Sequence, residues 1–109
     1  MEALEEPTEL AYAKVDELNE LSNSVVDDID SGDLDKAETT CRLLLERYFD
    51  QVDGLERLAS VYEARGNYTK AADHYKQAVE FMESRPGFDR EFINWTQKKA
   101  KEMEGRKGS

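Results

Sequence analysis

An all-α fold built from antiparallel helix pairs is what this sequence predicts, and three observations carry the prediction. Glycine and proline are scarce, six and two in 109 residues, which argues for long uninterrupted helices over a β-rich chain with many tight turns. Apolar residues recur at helical rather than alternating spacing along most of the chain. Finally, the stretch Gly32 to Glu46 returns 34 residues later as Gly66 to Glu80, and an echo of that period marks stacked supersecondary units.

The alignment of the two copies is specific. Gly32 and Gly66, Lys36 and Lys70, Ala37 and Ala71, and Glu46 and Glu80 are identical. Asp33 and Asn67, Leu34 and Tyr68, Arg42 and Lys76, and Leu45 and Val79 keep their chemical character. Five helices follow, over roughly 8–31, 33–49, 53–65, 67–84 and 89–104. The first carries the stripe Leu18, Leu21, Val25 and Ile29, is broken at Ser31-Gly32, and continues its spacing upstream through Leu10 and Lys14 from Thr8, which makes it longer than a repeat helix needs. Asp33 caps the second, whose stripe is Leu34, Ala37, Cys41, Leu44, Leu45 and Tyr48. Asp53 is expected to cap the third, with Glu56 three residues on completing a capping box before Leu55, Leu58, Ala59 and Tyr62. Gly66 stops it where a left-handed conformation is needed. Asn67 caps the fourth, with Tyr68, Ala71, Ala72, Tyr75, Ala78, Val79 and Met82 on its buried face, and Pro86-Gly87 ends it. Asp89 caps the last, in which Phe92, Ile93, Thr96, Ala100 and Met103 line one side and Arg90, Lys98, Lys99 and Lys101 stand on others. Residues 1–7 read as an acidic tail, 8–104 as one helical repeat domain, and 105–109 as a disordered tail.

Charge and composition exclude several function classes. Thirteen acids and two bases fall in residues 1–38, against twelve acids and thirteen bases in the rest. An acidic first third repels phosphate backbones and anionic lipid surfaces, so neither nucleic acid nor membrane is expected as a partner. No apolar run reaches the roughly 20 residues a membrane-spanning helix requires, and the acidic start does not resemble a secretory signal. The single cysteine, Cys41, rules out an intrachain disulfide and fits a reducing compartment, the cytoplasm.

No catalytic constellation is expected. His74 is the only histidine and Cys41 the only thiol, too few for a zinc site; Cys41 reads as a small core residue and His74 as a half-exposed one. Asp27, Asp28, Asp30, Asp33 and Asp35 lack the terminal Glu of a calcium loop and read as a solvated helix end. No glycine-rich phosphate loop is present. The chain is therefore read as a non-enzyme without cofactor.

The 34-residue period and the residues at fixed offsets resemble the tetratricopeptide repeat. In the second copy the family's slots hold Leu55, Leu58-Ala59, Tyr62, Ala71, Tyr75 and Ala78, with Gly66 in the turn. The first copy fits at Gly32, Ala37 and Leu44 but has Ser24 in a leucine slot and Asp28 in a tyrosine slot. A buried unpaired Asp28 would be costly, so it must face water or its helix must be rotated. With the last helix counted as half a repeat, the resemblance implies about two and a half repeats wound as a right-handed superhelix, and a function in protein–protein interaction.

The resemblance further implies a concave groove lined by the first helix of each pair. Carried across residue by residue, its partner-binding candidates are Arg57 and Ser60 from the second repeat and Arg90, Asn94 and Lys98 from the last helix, a set suited to a carboxylate or an acidic peptide segment. Ser22 and Val26 stand where the chaperone-type carboxylate clamp has Lys and Asn, so a chaperone-tail receptor is not expected. Trp95 lies off the buried line of its helix, either as an interface residue or as a cover over the end of the stack. The partner is thus a protein or peptide, or a second copy of the chain completing the short stack as a homodimer.

Overall fold

A computed structural model describes the backbone of residues 9–106 and the side chains of residues 15–106. Five helices follow one another: α1 (Glu9–Ser31), α2 (Leu34–Arg47), α3 (Asp53–Ala64), α4 (Tyr68–Glu83) and α5 (Arg90–Arg106). Each packs against the next, and α1 also leans on α3. The expected tail at 1–7 lies outside the described residues, as do 107–109 of the tail expected at 105–109, while Gly105 and Arg106 belong to α5, two residues past the expected end.

The two copies of the sequence repeat fold alike. Gly32 and Gly66 take positive φ of 84° and 79°, the conformation that lets a helix stop and reverse. Asp33 and Asn67 follow with nearly equal backbone angles, and each accepts a hydrogen bond from the amide three residues on, at 3.3 and 3.2 Å. Ion pairs join neighbouring helices side by side. Arg47 of α2 meets Glu17 of α1, Arg65 beyond α3 meets Asp35 of α2, and Lys76 of α4 meets Glu104 of α5.

The core divides into two parts. Val25, Ala37, Cys41, Leu44, Leu58, Ala59, Tyr62, Ala71 and Tyr75 form the larger, with Ala100 and Met103 of α5 closing it. Val52, Ala78, Val79, Met82 and Ile93 form the second, backed by half-buried Leu55, Phe81, Phe88 and Phe92. Ala37, Ala59, Ala71 and Ala72 are wholly buried, which allows the helix axes to approach closely.

Two local expectations are corrected. The N-cap of α3 is Val52, not Asp53, and it makes no side-chain cap bond. Burial of Val52 in the second cluster draws the helix start one residue upstream. The Asp53 carboxylate is then released to accept from Ser22 Oγ of α1 at 2.8 Å, and Glu56 turns inward instead of closing a capping box. Asp28 does not face water: its side chain is 14% exposed, 3.9 Å from Lys36 Nζ, and its Oδ2 is buried without a hydrogen-bond partner. The Asp-rich segment is therefore only partly a solvated helix end, and among the described residues no three metal-ligating side chains gather into a site.

Candidate functional site

A chain of polar side chains links α1, α3, α4 and α5. Ser22 is the hinge at one end, donating to Asp53 and accepting from Arg57 Nε at 2.9 Å. Arg57 Nη1 donates to Glu56 Oε1 at 3.2 Å. Ser60 Oγ lies 3.3 Å from both the Glu56 carbonyl and Tyr75 Oη. Tyr75 Oη donates to Glu63 Oε1 at 2.8 Å, and Lys99 Nζ donates to the other Glu63 oxygen at 2.8 Å and to Glu102 at 3.4 Å.

Helical periodicity explains why these residues converge. Glu56, Ser60 and Glu63 recur at intervals of four and three along α3, one stripe of a helix whose opposite stripe packs on α2 and α4. Trp95 and Lys99 occupy the flank of α5 that turns toward α3. Burial pushes the Glu56 carboxyl above its ordinary range, with Arg57 partly opposing the shift. Burial likewise raises Tyr75, so it stays a phenol and a donor. Lys99 loses some charge stability by burial, but the Glu63 and Glu102 carboxylates outweigh that and hold its pKa above the usual lysine value.

An aromatic corner closes the α5 end. Trp95 is 46% exposed, stacks on Phe92 at 6.2 Å, and meets the Tyr75 ring edge-on at 6.4 Å. Lys99 Nζ sits 5.9 Å from its centroid. At the α1 end Val26 is exposed.

The expected binding residues do not form one cluster. Arg57 and Ser60 lie in the polar chain, and Arg57 is held by Ser22 and Glu56 rather than free to grip a ligand. Arg90 turns away toward Glu83 of α4, 3.5 Å distant. Asn94 and Lys98 are exposed on the side of α5 opposite buried Ile93, Thr96 and Ala100. Tyr75, expected only as a packing residue, and Lys99, expected on the outer face of its helix, are the participants that sequence reasoning missed. Their signal was present as charged and hydroxyl groups at matching helical positions, but the partner across each gap was not.

The stretch at the centre of this arrangement, residues 52–84, matches the family model of the tetratricopeptide repeat. That stretch is similar to one tetratricopeptide repeat. Its helices are α3 and α4; of its slot residues, Leu58, Ala59, Tyr62, Ala71, Tyr75 and Ala78 are buried and Leu55 is partly buried. A tetratricopeptide repeat is a protein-interaction unit, and that is the general role the match assigns. No curated protein and no solved structure matches the chain. The Cys41 thiol is fully buried and pushed up to about 12 by that burial, so it is no thiolate at neutral pH. The His74 ring lies tilted against Tyr62, 5.2 Å between centroids, with Nδ1 2.8 Å from the Lys70 carbonyl. No described helix is long and apolar enough to cross a membrane.

Proposed function

We propose that the chain is a non-catalytic adaptor that takes a peptide or protein segment along the face made by α1, α3 and α5. The observation that carries this reading is the pairing of a fixed polar row, Ser22 to Lys99, with the half-exposed Trp95 at its end. A row whose side chains are already tied to one another loses little conformational entropy on binding, and an aromatic beside it supplies the apolar anchor on which affinity concentrates. Asn94 and Lys98 extend the surface as rim contacts, and the Arg57 guanidinium orders the row rather than gripping the ligand. The acidic first third favours a protein over a nucleic acid as partner.

The test is capture from a native lysate by photo-crosslinkers placed singly at Asn23, Ser60 and Asn94, with Asp73 and Gln77 of α4 as controls. The same polypeptide should be captured from the first three sites and not from the controls, and Trp95→Ser should reduce capture. Equal capture from α4, or capture indifferent to Trp95→Ser, would sink the reading. The exposure of Trp95 also favours a second reading, pairing of two copies through α5. Light scattering decides it: a dimer dissolved by Trp95→Asp supports pairing, and a monomer across the micromolar range eliminates it.

A further inference from the structure

The cations of the polar row are outnumbered at both of its ends. At the α1 end Arg57 serves two carboxylates, bonding Glu56 directly and reaching Asp53 only through the Ser22 hydroxyl. At the α5 end Lys99 likewise serves two, Glu63 and Glu102. Neighbouring elements do not make up the deficit. α1 has no lysine or arginine between Val15 and Ser31. Arg90 is drawn off to Glu83, and Lys98 stands on the outer side of α5.

Acceptor positions along the row are also left open. Among the described residues, Asp53 Oδ1, Glu56 Oε2 and Glu102 Oε2 accept no hydrogen bond. The buried side-chain atom without a partner is Asp28 Oδ2, so these three oxygens reach solvent. Glu56 matters most. The residue is only 7% exposed, and burial raises its carboxyl, with Arg57 opposing the rise and Asp53 adding to it. A carboxylate held that deep is ordinarily satisfied at both oxygens; here one of them faces out. A second cation beside it would act as Arg57 does, favouring the charged form.

We propose that the segment seated on the α1, α3 and α5 face is basic, an extended stretch of another protein that brings a cationic side chain to each end of the row. This rests on the reading of that face as the docking surface. It reverses the sign expected from Arg57, Arg90 and Lys98, because the first two are spent within the fold and the third points elsewhere. The spacing follows from α3. Glu56 and Glu63 are seven residues apart, about 10 Å along a helix. Two side chains three residues apart in a polyproline-II chain span about 9 Å. Between the ends lie Ser60 Oγ and Tyr75 Oη, hydroxyls that an extended chain meets with its open backbone groups and a helix cannot. Trp95, half-exposed beside Lys99, gives the apolar contact. An acidic peptide or a nucleic-acid backbone adds anions to a row already short of cations.

The probe is a proline- and serine-based peptide of about ten residues, with two arginines three apart and a leucine at each end. Its control carries glutamates in place of the arginines. Titration calorimetry should show binding of the arginine peptide alone, weakening as salt rises, with amide shifts in a labelled sample centred on Asp53, Glu56 and Trp95. Asp53→Asn with Glu56→Gln should weaken binding about tenfold or more. Glu102→Gln changes an exposed side chain and should weaken binding at unchanged melting temperature. The proposal is overturned by absence of binding, by a glutamate peptide that binds as well, by affinity indifferent to both sets of changes, or by shifts centred elsewhere. The crosslinking experiment separates this failure from failure of the face itself. Capture at Ser60 that the arginine peptide does not displace overturns the basic occupant and leaves the docking face standing, whereas absence of capture removes both.

Discussion

Replacing Gly54 by alanine sets two effects of opposite sign against each other at one position. Gly54 is the second residue of α3 and is buried where that helix crosses α2. A Cβ built there would stand 2.8 Å from Leu45 Cδ2, 2.9 Å from Leu45 Cγ and 3.0 Å from the Leu45 backbone nitrogen. The tip of Leu45 can rotate aside, but its Cγ and amide move only if α2 moves. Overpacking of this kind costs about 1–3 kcal/mol. Alanine in place of glycine returns at most about 1 kcal/mol in a helix interior, and less in the first turn. The net is a loss of about 1–2 kcal/mol, a fall in melting temperature of about 5 °C for a chain of this length. Gly105→Ala is the matched control, since a Cβ there meets nothing within 4 Å and only the small propensity gain remains. Thermal melts of the three proteins by circular dichroism at 222 nm check both signs. A Gly54→Ala protein as stable as its parent would refute the close approach of α2 and α3 at this point.

Two further outcomes follow from buried titratable groups. Glu56, raised by burial, holds its proton more tightly folded than unfolded, so its contribution to stability is full below the unfolded-state pKa and is lost as pH rises through the folded value. Glu56→Gln should therefore gain on the parent as pH rises from the acid side toward neutrality, and urea melts at several pH values that show the gap shrinking would contradict this. The Cys41 thiol, wholly buried and raised to about 12, should react with an aromatic disulfide reagent at neutral pH only as fast as the native state opens, and promptly once denatured. Prompt reaction of the native protein would mean that the α2 stripe is not where the fold places it.

The sequence by itself determined the local architecture. Five helices stand at the expected places, with Gly32 and Gly66 at the turns and Asp33 and Asn67 as caps, because these depend on backbone preferences and hydrogen bonds spanning only a few residues. The buried stripes around Ala37, Ala59, Ala71 and Tyr75 were legible for a related reason: a 3.6-residue period states which side of a helix is inside without stating what it touches. What only the tertiary structure decided is which polar groups meet across the gaps between helices. Arg57 and Arg90 carry the same charge and are expected together in one groove, yet one is tied to Ser22 and Glu56 and the other turns to Glu83. Glu63 and Lys99 are 36 residues apart and pair because α5 leans on α4 far enough to bring one flank beside α3. The N-cap of α3 moved from Asp53 to Val52 for the same reason, since burial of a valine among residues from α4 and α5 outweighed a local cap. A side chain's conformation is set by the strongest partner within reach, and reach depends on helix crossing and axial offset, quantities that packing of the whole core fixes and no local pattern contains.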